Sequence, residues 1–430
     1  LNTPKNASLE RMVEDFLTVS DTYTGSFDTP DPFPLYEKLR VDTPVMEGDI
    51  LARYGVPSQA DYGMQGRPVM SVFRYDDVLN ILQDSKNWKS WQNADGFGAA
   101  VDNMLLTGMD GDEHQKYRKM LQPAFLMPVI QKIDESLIRP IIKRDFIDKL
   151  HPQGKADLVS ELAVPFPIRV VYAIFGFPDD QDAGNKFASW ALRILGGPQV
   201  DPEVAKVTIP AAMEAGEQLF AHVLPIIQAR RAANDGRDDL INFMLNVEIE
   251  GQKFSDEDIT TFVRMLLLAA GETTSRTFAN MLVQLFDNPE VLERVRNDRS
   301  LIDKVIRETM RREPTASYLA RIADQDIDVC GVTVPKGTAV SLSIASANRD
   351  PDVYERPDEL WIDRPAKRVL AYGFGPHSCM GKHIANIEMA AALDYLLDLP
   401  NLRLDPDYPR PAIRGMQMRG ADSIRVLWDS

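Results

Sequence analysis

The chain holds two cysteines and five histidines in 430 residues, and one of each shares the stretch YGFGPHSCMGK, residues 372 to 382. Cys379 stands there in a turn crowded by Gly373, Gly375 and Gly381, which admit backbone paths that residues with a Cβ resist. Directly after it, Ile384, Ile387, Ala391 and Tyr395 recur at helical spacing and predict an apolar stripe. A sulfur at a helix N-terminus feels the positive end of the macrodipole, and nearby amides can donate to it. Both influences favour the thiolate, the form in which cysteine acts as metal ligand or nucleophile. His377 can bind an anion. By itself the stretch suits a buried structural thiol beside a loop histidine at least as well, so its chemistry depends on what else the chain supplies.

Three further constellations carry suitable groups. In LLLAAGETTS, residues 266 to 275, an apolar helical run meets Gly271, Glu272, Thr273 and Thr274. Glycine weakens a helix and threonine hydroxyls compete for carbonyls of the preceding turn, so a local distortion with a polar niche is expected. An acid beside an alcohol can relay protons there, although a kink with solvated polar residues is the simpler reading. Glu308 and Arg311 are three residues apart and share a helical face, which by default makes a surface ion pair. His114 and Arg118, in DGDEHQKYRKML, point the same way from a face that is solvated by default. Arg321 draws notice only in company with these.

Such groups need elements to hold them. Helical spacing is expected over PFPLYEKLR from 33, over DDVLNILQD, and across most of 113 to 305. FGFPDD and GGPQVDP punctuate that long stretch. GRPVMSVFRY, residues 66 to 75, reads as a short strand pair, and 326 to 343 as strands around Gly331 and Gly337. Residues 90 to 112 read as a long loop with a short helix, of the length that is usually functional. A last helix is expected to run to Pro400, followed by turns and strands. The pattern predicts one domain over 1–430, mainly α with a small β-rich subdomain. Its helix-rich parts are about 110–320 and 380–400, and its strand-rich parts about 60–75, 320–345 and 401–430.

Composition narrows the partners. With 44% hydrophobic residues the chain can build a large core, and its net charge of −16 repels phosphate backbones, so nucleic acid is excluded. No stretch reaches the roughly 18 apolar residues of a membrane span, and LNTPKNASLERMVEDF has no signal-peptide core, so a cytoplasmic protein without a membrane anchor is expected. Two cysteines make no disulfide framework, and neither HExxH nor a paired CxxC supports zinc.

Taken in order, these pieces resemble the cytochrome P-450 superfamily, soluble bacterial type. Its motif Phe-x-x-Gly-x-[His/Arg]-x-Cys-x-Gly is met by Tyr372, Gly375, His377, Cys379 and Gly381, with only the leading aromatic changed. Its Glu-x-x-Arg is met by Glu308 and Arg311. Its acid–alcohol helix motif is met by Ala269 to Thr274, with Ala270 for the usual second glycine. His114 and Arg118 meet its HxxxR, and ANRDP at 347 to 351 is a further family-like string.

The resemblance implies the cytochrome P-450 fold and a haem b (iron protoporphyrin IX) cofactor, with Cys379 as axial iron ligand. It implies that His377, His114, Arg118 and Arg321 hold the propionates, with Tyr372 and Gly373 in the cysteine loop and Ala269 over the haem face. Glu272 and Thr273 become the catalytic acid–alcohol pair, and Glu308 and Arg311 the structural pair bracing the loop. The third cation of that network is not fixed: the aligned position falls on Glu359, with Arg364 and Arg368 nearby. The substrate pocket is expected to draw on Phe97, Val101, Met104, Leu105, Ile194, Leu195, Met265, Thr315, Leu319, Met416 and Met418. The activity implied is insertion of one atom of O2 into a small hydrophobic substrate, by hydroxylation or oxidative O-dealkylation, with a lean towards aromatics. Terpenoids and fatty acids are alternatives, as are a peroxide-driven peroxygenase and a non-enzymatic haem-thiolate sensor. The segment after Cys379 is too short for a fused reductase, so electrons are expected from a separate ferredoxin or flavodoxin with its reductase. Such a partner would dock on a monomer through Lys116, Lys119, Arg312, Lys367, Arg368 and Lys382.

Overall fold

A computed structural model describes residues 7–22, 31–61, 66–94, 98, 101 and 106–429. Its axis is the helix Asp256–Asp287, 32 residues long. A capping box starts it: Ser255 Oγ accepts from the Asp258 amide at 3.0 Å, and the Asp258 carboxylate accepts from the Ser255 amide at 3.1 Å. Apolar residues lie all round its middle, the mark of a helix enclosed by others. In chain order the helices that frame it are α1 (Ala7–Thr22), α2 (Phe33–Asp42), α3 (Tyr75–Gln83), α4 (Gly111–Leu121), α5 (Pro165–Ile174), α6 (Gln181–Leu195) and α7 (Pro202–Ala233), then α8 (the axis itself), α9 (Ile302–Arg312) and α10 (Lys382–Leu396).

The expected distortion in α8 is absent. The helix is unbroken through Gly271, and hydroxyls are absorbed by carbonyls one turn back: Thr273 Oγ1 donates to Ala269 O, Ser275 Oγ to Gly271 O and Thr277 Oγ1 to Thr273 O, each at 2.7 Å. Gly271 serves packing instead. A Cβ built on it would stand 2.3 Å from Ile168 Cδ1, so the missing side chain lets α5 cross close to α8.

The main sheet is assembled from β1 (Val45–Glu47), β2 (Val69–Val72), β3 (Trp88–Lys89), β4 (Tyr318–Ala323) and β5 (Ala339–Ser343), in the order β1-β2-β5-β4-β3. The β2–β5 pairing is parallel and the others antiparallel. Residues 66 to 75 thus give one strand rather than a pair. Its antiparallel mate comes from upstream and its parallel mate from the far end of the chain, neither visible in local alternation. The sheet core is separate from a larger apolar core that runs from Met12 and Phe16 of α1 to Trp428. Among the described residues no helix is long and apolar enough to cross a membrane, and both cysteines are free.

Candidate active site

The cysteine loop is held from three sides. Gly373 and Gly375 take φ of 64° and 73°, where a side chain is disfavoured, and a Cβ on Gly375 would fall 2.5 Å from Leu82 O at the end of α3. The third glycine differs: Gly381 has φ −79° and caps α10, so its smallness acts beside the sulfur rather than on the backbone path. The Cys379 amide donates to Tyr372 O at 2.8 Å. Tyr372 directs its hydroxyl to Asn386 Oδ1 on α10. Cys379 keeps exposed surface, yet burial is the largest influence on it and pushes its thiol up, against the Gly381 and Lys382 amides and the charges of Arg118 and Lys382. Exposed surface on so enclosed a group places it on the wall of an internal recess. Desolvation therefore opposes the thiolate that the helix terminus and the neighbouring amides favour.

Beside the sulfur lies a cluster of basic side chains with little to neutralise it. The His114 and His377 rings stack with centroids 4.0 Å apart. His114 is buried on α4, its Nε2 has no hydrogen-bond partner, and desolvation first, then His377 and Arg118, bring its pKa down to about 4. Arg118, one turn on, donates weakly to Ser378 Oγ at 3.4 Å. Arg321 projects from β4, is buried, and donates only to Ala320 O at 2.7 Å; burial brings its pKa down to about 10. Asp110 is the nearby acid, 3.8 Å from His377 Nε2, and both its oxygens accept from the Ser90 amide. A buried arginine whose one hydrogen bond is to a carbonyl is costly, so Arg321, with Arg118 and the two imidazoles as further donors, suits a ligand bearing carboxylates. A macrocycle with two propionates has the required chemistry.

Glu308 and Arg311 do not form the surface pair their spacing suggests by default. Both are buried on α9, and Arg311 grips Glu308 through Nε at 2.9 Å and Nη2 at 2.8 Å. Arg311 also donates to the carbonyls of Asn348, Pro357 and Glu359. The third cation is Arg364, whose Nε donates to Glu308 Oε1 at 2.9 Å. Glu359 contributes only its carbonyl, its side chain pairing with Arg356 at the surface, and Arg368 lies over the Phe374 ring.

On α8 the buried run is interrupted at Leu266, Ala269, Ala270 and Thr273, which keep partial or full exposure at helical spacing. A stripe of that kind on an enclosed helix borders an internal cleft. Glu272 faces another way. It is buried, its Oε1 accepts from Arg276 Nε at 2.8 Å, and its Oε2 has no partner. Arg276, readable in the sequence at i+4 from Glu272, is the site residue that motif reasoning passed over.

The expected pocket residues divide. Met265 is buried and touches Thr107 across 4.0 Å, while Leu195 and Leu319 are half-buried, Leu319 lying against Gly373. Ile194, Val101 and Met418 are packed into the main core. Two are buried in other surroundings. Thr315 Oγ1 lies 3.0 Å from Thr277 Oγ1 of α8, whose proton goes to Thr273 O, and Met416 packs with Tyr36, Phe73 and Tyr318 in a separate cluster. Phe97, Met104 and Leu105 lie outside the described residues.

The fold is that of a haem-dependent oxygenase, as comparison with known proteins shows. The family profile of Cytochrome P450 matches residues 206–419. Pulcherriminic acid synthase of Bacillus subtilis is 29% identical, over 98% of this chain and 100% of its own. The chain designated cytochrome P450 133B1 in Xylella fastidiosa is 31% identical, over 87% of this chain and 90% of its own. The crystal structure of CYP109E1 from Bacillus megaterium in complex with testosterone superposes with a TM-score of 0.79 at 26% identity, covering 93% of this chain and 100% of that one. The protein belongs to the cytochrome P450 family. It is a monooxygenase of the bacterial type with haem b as cofactor, and the buried basic cluster beside Cys379 fits that group.

Proposed function

We propose that Cys379 would ligate the haem iron, that Arg118, Arg321, His114 and His377 would hold its propionates, and that Thr273 and Glu272 would manage protons in the cleft bordered by α8. The under-compensated basic cluster next to a recessed sulfur carries this reading. When bound, the haem supplies the reductive activation of O2, with the thiolate favouring O–O cleavage. Ala269, small and exposed on α8, would leave room in the cleft for the haem and O2. Thr273 Oγ1, which donates to Ala269 O, would release that bond to donate into the cleft, and Glu272 would replenish its proton. Glu308, Arg311 and Arg364 fix the loop so that the sulfur keeps its position.

One oxygen atom enters the substrate and the other leaves as water, so electrons must be supplied. The exposed cations Lys119 and Lys382 suit an acidic ferredoxin. Lys116 lies over Tyr117, Arg368 over Phe374, Arg312 donates to Asp358 O and Gln284, and Lys367 donates to Val353 O, so these are engaged within the chain. The apolar surfaces of Met265, Ala269, Leu195 and Leu319 favour a hydrophobic substrate. Compact aromatics remain the first class to screen, with steroids added because CYP109E1 was solved with testosterone and corticosterone.

Reduced protein under carbon monoxide is expected to show the far-red-shifted Soret band of a thiolate ligand, and Cys379→Ser to abolish it. A histidine-type spectrum would overturn the assignment. Aromatics, steroids, terpenoids and fatty acids should then be titrated for a low-to-high-spin shift; a response to fatty acids alone would remove the aromatic lean.

A further inference from the structure

The N-terminal helix α1 has a buried stripe of Met12, Phe16, Val19 and Ser20, spaced by four, three and one. It packs along α6, where Asp15 accepts from Ser189 Oγ and pairs with Arg193 at 3.3 Å. At its C-terminal end the stripe becomes polar at a buried position. Ser20 is 1% exposed, and its Oγ accepts from Arg276 Nη2 at 2.8 Å. Phe16, one turn earlier, lies under the same guanidinium, 4.4 Å from ring centroid to Cζ. Gly420 closes the other side, since a Cβ there would stand 3.0 Å from Arg276 Cγ.

Arg276 thus sits between two carboxylates. Glu272 accepts from Nε at 2.8 Å, and Asp422 Oδ1 lies 4.0 Å from Nη1. Glu272 Oε2 and Asp422 Oδ1 are both buried without a hydrogen-bond partner. Two acids with one spare oxygen each share one cation, and a hydroxyl and an aromatic ring from α1 hold that cation in place. An unanchored guanidinium would follow Glu272 whenever the carboxylate turned towards the cleft. An anchored one, with Asp422 as alternative partner, lets Glu272 go.

We propose that α1 is part of the distal machinery: through Phe16 and Ser20 it fixes Arg276 and so sets how readily Glu272 exchanges between its ion pair and the cleft. Ser20 is a positioning residue in this scheme. The proposal rests on the proton-handling role of Glu272 given above.

The test uses the full-length haem-loaded enzyme, with Ser20→Ala, Ser20→Thr, Glu272→Gln and the Ser20→Ala/Glu272→Gln double variant. Two quantities are read: hydrogen peroxide released per reductant consumed, and the infrared stretching band of carbon monoxide in the reduced protein. Ser20→Ala should raise the peroxide fraction by up to about five-fold, the factor equivalent to one hydrogen bond, and shift the carbon monoxide band. Ser20→Thr should restore both, and the double variant should be no worse than Glu272→Gln alone. If Glu272→Gln uncouples but Ser20→Ala changes neither quantity, α1 only packs and the proposal is overturned. Failure of Ser20→Thr to rescue, or full additivity in the double variant, overturns it equally. If Glu272→Gln itself has no effect, it is the role of Glu272 that falls.

Discussion

Two buried glutamate–arginine pairs, one on α9 and one on α8, have nearly the same local sequence logic and opposite degrees of satisfaction. Glu308 takes donors at both oxygens: Arg311 twice, Arg364 Nε, and the Trp361 amide at 3.2 Å. Glu272 has Arg276 on one oxygen and nothing on the other. A carboxylate held by two guanidinia and an amide is a fixed post. A carboxylate with one cation and a spare oxygen, beside a second acid that can take the cation, is free to exchange. The first suits the loop-bracing role proposed for Glu308, the second the proton-handling role proposed for Glu272.

The largest effect is expected where satisfaction is complete. Glu308→Gln leaves Arg311 and Arg364 buried with no other acid among their hydrogen-bond partners, at about 3–5 kcal/mol, and Arg364→Ala, which leaves Glu308 paired with Arg311, should cost less. Denaturant unfolding of the haem-loaded protein measures this, and a loss below ~1 kcal/mol would erase the contrast. Glu272→Gln should cost less, about 1–3 kcal/mol, because Asp422 remains for Arg276. Its signature should be functional: peroxide release rises several-fold. Thr273→Ala should share that signature, and unchanged coupling would count against the relay. Gly271→Ala tests the packing beside the pair. Its methyl group has to displace Ile168, at about 1–3 kcal/mol, whereas a simple gain in helix propensity would stabilise. The smallest effect is expected for Tyr372→Phe, which removes one hydroxyl bonded to Asn386 and should lower stability by ~1 kcal/mol. A loss as large as that of Glu308→Gln would mean that the loop depends on α10 as much as on Glu308.

Chemistry close in sequence was legible, and chemistry that converges from a distance was not. The turn around Cys379, the pair on α9 and the His114–Arg118 spacing are short-range features whose residue types declare themselves. The environment of each group followed less well. The α9 pair reads as a surface pair until Arg364 and three carbonyls enclose it. Gly271 reads as a helix breaker until Ile168 is found against it, and the thiolate preference of Cys379 meets an opposing desolvation once its surroundings are counted.

The sequence by itself determined the family, the order of the helices, the cysteine loop and the residue types of the site. Such things depend on periodicity, turn chemistry and motif spacing, all local properties of the chain. Only the tertiary structure decided that Arg364 completes the Glu308 network, that Met416 and Thr315 turn into the core, and that Ser20 reaches Arg276 across most of the chain. The reason is physical. A buried charge is tolerated only with partners, and which partners arrive depends on how distant segments pack, a quantity no local pattern carries.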